Sequence, residues 1–280
     1  MSLNARIARF YDRSSPIWLE TWGEQMHHGY YDSNTKDHKQ AQLEMIERLL
    51  EWGHFSGSAP KILDAGCGVG GSSRYLVNKF PGATSLGLTL SPLQVERGRA
   101  YNQKAGLGDR IELRAQDVFE LKPKDDGPFD LIWSLESAEH MADKEGLLKL
   151  FFDALKPGGQ LIMATWCSSD SYDNLNDKEV QTLRRIEALY HLPPMVSIET
   201  LHLAAQRVGW TQIASADWSK AVEPFWSAVI KTGLDPRNWP GLIKAGSETI
   251  KGAWAMRYMR RGFKLECIKY GLLRAQKPMA

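Results

Sequence analysis

ILDAGCGVGGSS, residues 62–73, is the stretch on which the reading of this chain turns. An apolar run leads into Asp64, the chain turns through Gly66, Cys67 and Gly68, and a helix is expected after Gly70-Gly71. Glycines permit so tight a turn and let a ligand approach the backbone with no Cβ in the way. In open α/β sheets, ligands lie beyond the carboxyl ends of the strands. The G-x-G-x-G spacing, with Asp64 just ahead, differs from the G-x-G-x-x-G dinucleotide fingerprint. An acid at that place suits a cofactor with a positively charged amino-acid end better than a pyrophosphate. A glycine turn alone is equally a structural device, so the surrounding chain has to decide.

Outward from the turn, short apolar runs alternate with helical patterns. Strands are expected at 61–66, 84–90, 111–117, 129–135 and 160–166, with a helix starting near Ser91-Pro92, where proline suits the first turn. Further helices are expected at 177–190 and 199–208, a sixth strand at 211–218 and a seventh over 267–277. Such alternation implies an α/β fold: a Rossmann-like, doubly wound, seven-stranded, mainly parallel sheet covered on both faces. Residues 221–264 read as a helical cap insertion. Ahead of the sheet, residues 1–58 read as a helical arm and lid, with helices at 3–23 and about 36–52, and 59–280 as the main domain.

The 280 residues are 43% hydrophobic and 24% charged with a net charge of +2, which argues against a general nucleic-acid binder. Three distant cysteines make neither a disulfide framework nor a zinc site, and suit a reducing cytoplasm. Apolar runs fall short of the roughly 18 residues of a membrane span, and the N-terminus carries no apolar signal segment. From Lys244 onward nine Lys/Arg face two Glu. Arg257, Arg260, Arg261 and Lys264, beside Trp254, Met256, Met259 and Phe263, fit either peripheral membrane contact or a solvated helix face. Oligomeric state is not legible.

ILDAGCGVGG resembles the first motif of the class I methyltransferases, AQDVFE (115–120) their adenine segment, FDLIWSLESAEHM (129–141) their fourth-strand motif and LKPGGQL (155–161) the turn before their fifth strand. One departure is informative: LGLTLSPLQ (86–94) carries Thr89 where many such enzymes have a ribose-binding acid, with Gln94 five residues on. That variant is similar to enzymes related to tocopherol, sarcosine and cyclopropane-fatty-acid methyltransferases, and the missing acid speaks against a nicotinamide enzyme. YDRSSPIWLETWGEQMHHGYYD (11–32), WSLESAEHM, TWC (165–167), ADWSKAVEPFW (216–226) and IKYGLLRAQKP (268–278) resemble the γ-tocopherol methyltransferase family in particular. The resemblance implies S-adenosylmethionine as cofactor, leaving as S-adenosylhomocysteine. Its binding set would be Asp64, Gly66, Cys67, Gly68, Thr89, Leu90, Gln94, Asp117, Val118, Ser134 and Tyr30. It implies a hydrophobic small-molecule acceptor, such as a chromanol methylated on its ring. An alkaloid amine, or a relative performing a non-methylating step, are the alternatives.

A phenolic acceptor, with a pKa of about 10, gains from a base within hydrogen-bond reach. Glu136, Glu139 and His140, just past the fourth strand, are the candidates; the bland reading is that they cap the next helix. His27, His28, Tyr30 and Tyr31 read as an arm over the site or as a plain loop, and no carboxylate spacing makes the histidines a metal site. Trp18, Trp22, Trp166, Trp226 and Trp254 fit an acceptor pocket or ordinary core.

Overall fold

A computed structural model describes residues 3–227 and 247–279. β1 (Lys61–Ala65) is followed by α3 (Gly71–Lys79), β2 (Thr84–Thr89), α4 (Pro92–Lys104) and β3 (Ile111–Ala115). After α5 (Pro123–Asp126) come β4 (Phe129–Leu135), α6 (Lys144–Ala154), β5 (Leu155–Ser168), α7 (Asp177–Tyr190) and α8 (Ile198–Val208). β6 (Thr211–Asp217), α9 (Ser219–Val222), α10 (Ser247–Lys264) and β7 (Ile268–Gln276) complete the order, and α1 (Leu3–Trp22) and α2 (His38–Gly53) precede it. The seven strands form one sheet in the order β3-β2-β1-β4-β5-β7-β6, parallel except for β7, which runs antiparallel to both neighbours.

Strand alternation explains how the sheet is covered. Ile62, Leu131, Trp133 and Ile162 point into one core, shared with Met45, Ile46 and Leu49 of α2. Leu63, Ile132 and Leu161, one residue out of step, point into the other, shared with Leu147 and Phe151 of α6. Each such side chain stabilises the fold by about 1.5–3 kcal/mol relative to exposure. α2 therefore belongs to the core of the sheet although it precedes the linker at 54–60. A Cβ on its Gly53 would fall 2.2 Å from Ile162 Cδ1, so glycine lets α2 lie against β5.

β5 begins at Leu155, five residues before the expected start. The Lys-Pro-Gly-Gly turn is absorbed as a bulge: between Phe129↔Leu155 and Leu131↔Gln160, Asp130 alone opposes residues 156–159. The expected cap at 221–264 is described only in part, as α9, a helical stretch at 224–227, and α10. On α10, which packs on α7 and β7, Met259 and Phe263 are buried while Arg257, Arg260, Arg261 and Lys264 are exposed. Among the described residues no helix is long and apolar enough to cross a membrane. The side chains of Trp18, Trp22 and Trp254 lie outside the described residues.

Candidate active site

The carboxyl ends of β1, β2 and β4 open onto a cavity of about 430 Å³, roofed by α1. The first turn is built on two positive-φ glycines, Gly66 (91°) and Gly68 (54°). Gly66 has a second reason to be glycine: a Cβ would meet Ser137 Cβ at 2.1 Å. Gly66 and Cys67 both donate their N–H to Leu88 O at 2.9 Å, tying the turn to β2. Asp64 is buried beneath it and accepts from Ser73 Oγ at 2.6 Å. Burial pushes its pKa up to about 6, against the opposing pull of the Ser73 hydrogen bonds and Arg74.

The middle of the cavity is formed by Thr89, Leu90 and Gln94. Ser91 caps α4 by accepting from Gln94 N at 3.0 Å, which fixes Gln94 at the first turn of the helix. Its side-chain oxygen accepts from Thr89 Oγ1 at 2.6 Å and its amide donates to Ser15 of α1 at 3.0 Å. At the far end, Asp117 accepts from Phe119 N at 3.0 Å and from Asn4 of α1 at 2.5 Å, with Val118 beside it.

Of the expected residues, Asp64, Gly66, Cys67, Gly68, Thr89, Leu90, Gln94, Asp117 and Val118 line this cavity, as do Glu136 and His140. Ser134, Glu139 and Tyr30 do not. Ser134 turns its hydroxyl to Ser137 Oγ, 3.0 Å away. Tyr30 packs edge-on against Trp218, under the guanidinium of Arg48, so it lids nothing in this arrangement. Glu139 is buried and accepts from Thr165 Oγ1 at 2.6 Å. Burial raises its pKa to about 7, aided by the charge of Glu136 and opposed by the Thr165 hydrogen bond.

His140 and Glu136 differ sharply. His140 Nε2 meets the Tyr11 hydroxyl of α1 at 2.9 Å. Burial, Lys144 and His191 hold its pKa down to about 4, so the ring is neutral near neutral pH. Glu136 is saturated: its oxygens accept from the His28 N–H (2.7 Å), His28 Nδ1 (2.6 Å) and the Tyr270 hydroxyl (2.8 Å). Trp166 and Trp226 are buried around His28 rather than on the cavity wall. Sequence reasoning missed Leu3, Asn4, Ile7 and Tyr11 as cavity residues. Leu3, Ile7 and Tyr11, four residues apart, are a helical stripe that could have signalled it.

The charge of the wall tests what it can hold. It contains five acids, Glu24, Asp64, Asp117, Glu136 and Asp143, and among the described residues no Lys or Arg. Such a wall repels a pyrophosphate and favours a cationic ligand.

A methyltransferase domain family matches residues 62–159. The chain is 41% identical to the probable tocopherol O-methyltransferase, chloroplastic, of Oryza sativa subsp. japonica, over 99% of this chain and 79% of that protein. The chain belongs to the tocopherol O-methyltransferase family. The corresponding Arabidopsis thaliana protein is 38% identical over 99% of this chain and 83% of its own. In fold, the chain matches a putative sarcosine dimethylglycine methyltransferase from Galdieria sulphuraria, with a TM-score of 0.84 and 23% identity, covering 97% of this chain and 99% of that one. It is thus a methyltransferase with S-adenosylmethionine as cofactor. The acidic cavity with its glycine turn fits that cation, whose sulfonium and ammonium are both positive.

Proposed function

We propose that this chain methylates a tocopherol-like chromanol or related hydrophobic phenol, on the ring carbon beside the hydroxyl. The observation that carries the reading is likeness over 99% of the chain to proteins named tocopherol O-methyltransferase. That span includes the arm and the C-terminal aromatics as well as the cofactor loop. A 2-methyl-6-phytyl-1,4-hydroquinone methyltransferase of Synechocystis, 29% identical, points to the same acceptor class. Norajmaline N-methyltransferase of Rauvolfia serpentina, 27% identical, keeps an amine as the second reading.

When bound, the cofactor supplies an electrophilic methyl group. Asp64 would hold its ammonium and the turn at Gly66, Cys67 and Gly68 would take its amino-acid portion. Thr89 and Gln94 would meet the ribose, and Asp117, with Leu90 and Val118, would take the adenine end. Leu3, Ile7 and Tyr11 exclude water from above, which strengthens each polar contact below. Ring methylation releases one proton, and His140, neutral and on the wall, is placed to receive it. A lipid-soluble acceptor would reach the site from a membrane surface, for which Arg260, Arg261 and Lys264 offer a cationic face.

The test is S-adenosylhomocysteine formation with a panel of chromanols, prenylated quinols, indole alkaloids and small amines. Turnover of a chromanol or quinol supports the reading. Turnover of amines alone discards the acceptor and keeps the methyltransferase.

A further inference from the structure

Glu136, directly after β4, lies in the left-handed backbone region (φ 55°), which a residue with a Cβ adopts when its surroundings impose it. What this conformation secures is a carboxylate turned onto His28, 108 positions earlier in the chain. Burial works against ionisation of Glu136, but three hydrogen bonds, from the His28 N–H, His28 Nδ1 and the Tyr270 hydroxyl, favour the carboxylate. An ionised carboxylate only accepts hydrogen bonds, so His28 Nδ1 carries the proton. In the neutral ring the lone pair is then left on Nε2.

His28 Nε2 is buried and makes no hydrogen bond. Around the imidazole stand Phe225 at 4.1 Å, Trp226 at 5.0 Å, Trp166 at 5.6 Å and Tyr270 at 6.0 Å between ring centroids. The indole N–H groups of Trp166 and Trp226 are buried without a partner as well. Unpartnered buried polar atoms carry a desolvation cost that a ligand can relieve. Apolar ring faces, two idle donors and one idle acceptor together match a planar ring bearing a hydroxyl. Glu136 and His27 line the cofactor cavity, so the box shares residues with its wall.

We propose that His28 takes the hydroxyl proton of the acceptor, with Glu136 as the positioning residue that fixes its tautomer and stabilises the imidazolium. This rests on the phenolic acceptor proposed above. The acceptor O–H bond breaks, the proton passes to His28 Nε2, and the electron pair stays on oxygen, enriching the adjacent ring carbon. The hydroxyl proton is borrowed and returned to the oxygen when the ring carbon sheds its own hydrogen toward His140. The groups facing His28 are Glu136 from β4, Tyr270 from β7, His38 from α2 and its neighbour His27. Phe225 and Trp226 cover the imidazole, so the acceptor would have to displace them to reach Nε2.

The test compares His28→Asn, Glu136→Gln and the double variant on a chromanol and on a more acidic, ring-fluorinated chromanol. Each single variant should lose about 100-fold or more in kcat. The loss should shrink on the more acidic phenol, and the double variant should be no worse than His28→Asn. Cofactor affinity by calorimetry should stay within a few-fold of wild type. Nitrogen-15 shifts of the wild-type protein supply a reading that needs no variant to fold: a protonated Nδ1 and bare Nε2 are expected, and the opposite tautomer overturns the proposal. A fully active His28→Asn on a phenol that wild type turns over overturns it alone. Wild type that turns over amines and no phenol overturns the acceptor reading with it.

Discussion

Tyr11 of α1 and His140 of the turn after β4 meet at 2.9 Å, joining parts of the chain 129 positions apart directly above the cofactor cavity. The contact ties the His140 ring to the helix that roofs the cavity, so one hydrogen bond joins closure to the proposed proton acceptor. Tyr11→Phe should keep the packing and lose the bond, lowering kcat by about tenfold with little change in cofactor affinity. His140→Asn should cost about 100-fold, within the usual range for a general base. Steady-state kinetics on the accepted phenol, run at equal saturation, checks both; unchanged kcat in His140→Asn would remove it from the mechanism.

Two buried groups beside each other pull the pH dependence of stability in opposite directions. Between about pH 6.5 and 4 the unfolded chain takes up a proton at His140 that the folded chain refuses, so stability falls as pH falls through that window. Glu139, raised to about 7, binds a proton in the folded state first, so its contribution is complete below about pH 4.5 and is lost as pH rises through 7. Urea unfolding from pH 4 to 8 should therefore show His140→Asn gaining relative stability at acid pH and Glu139→Gln flattening the loss toward pH 7.

Asp64 should couple cofactor binding to pH. With its pKa raised to about 6 by burial, the acid must lose its proton to hold an ammonium. Affinity should fall up to about tenfold per pH unit below 6 and level off above it. Calorimetry on Asp64→Asn should show weaker binding at every pH and no such slope; a slope that survives the substitution would assign it elsewhere.

Gly66→Ala should be among the most damaging single changes. It combines a backbone at φ 91° with a Cβ placed 2.1 Å from Ser137 Cβ. A loss of about 2 kcal/mol or more is expected, read as a lower Tm, with cofactor binding lost as the turn is displaced.

α1 is tied to the middle and the far end of the cavity through Ser15–Gln94 and Asn4–Asp117. Asn4→Ala with Ser15→Ala should speed cofactor dissociation in stopped-flow measurements while changing association much less. Equal effects on both rates would mean that α1 does not act as a gate.

Most of the strands were legible because buried parallel strands leave continuous apolar runs, and six of them fall within two residues of the expected bounds. β5 was misjudged at its start because Lys156-Pro157-Gly158-Gly159 reads as a turn, while pairing on either side carries the strand through it. The cofactor end was legible because its residues follow strand ends in sequence. Direction of side chains was less so. Glu139 and His140 share a single 3-10 turn, in which neighbours point about 120° apart, so one reaches Thr165 and the other the cavity. Tyr11, Asn4 and the pairing of His28 with Glu136 depend on contacts more than 100 positions long, which no local pattern announces.

The strand order separates two groups of residues in space. β1, β2 and β3 and the turns after them supply Asp64, Gly66, Thr89 and Asp117 to the cavity, whereas Trp166, Tyr270, Phe225 and Trp226 come from β5, β7 and the segment after β6. On the proposed acceptor reading, substrate preference would be tuned partly through Phe225, Trp226 and Tyr270 in the C-terminal third. A chimera exchanging residues 211–270 with those of a relative would be the economical way to transplant one acceptor preference into another chain.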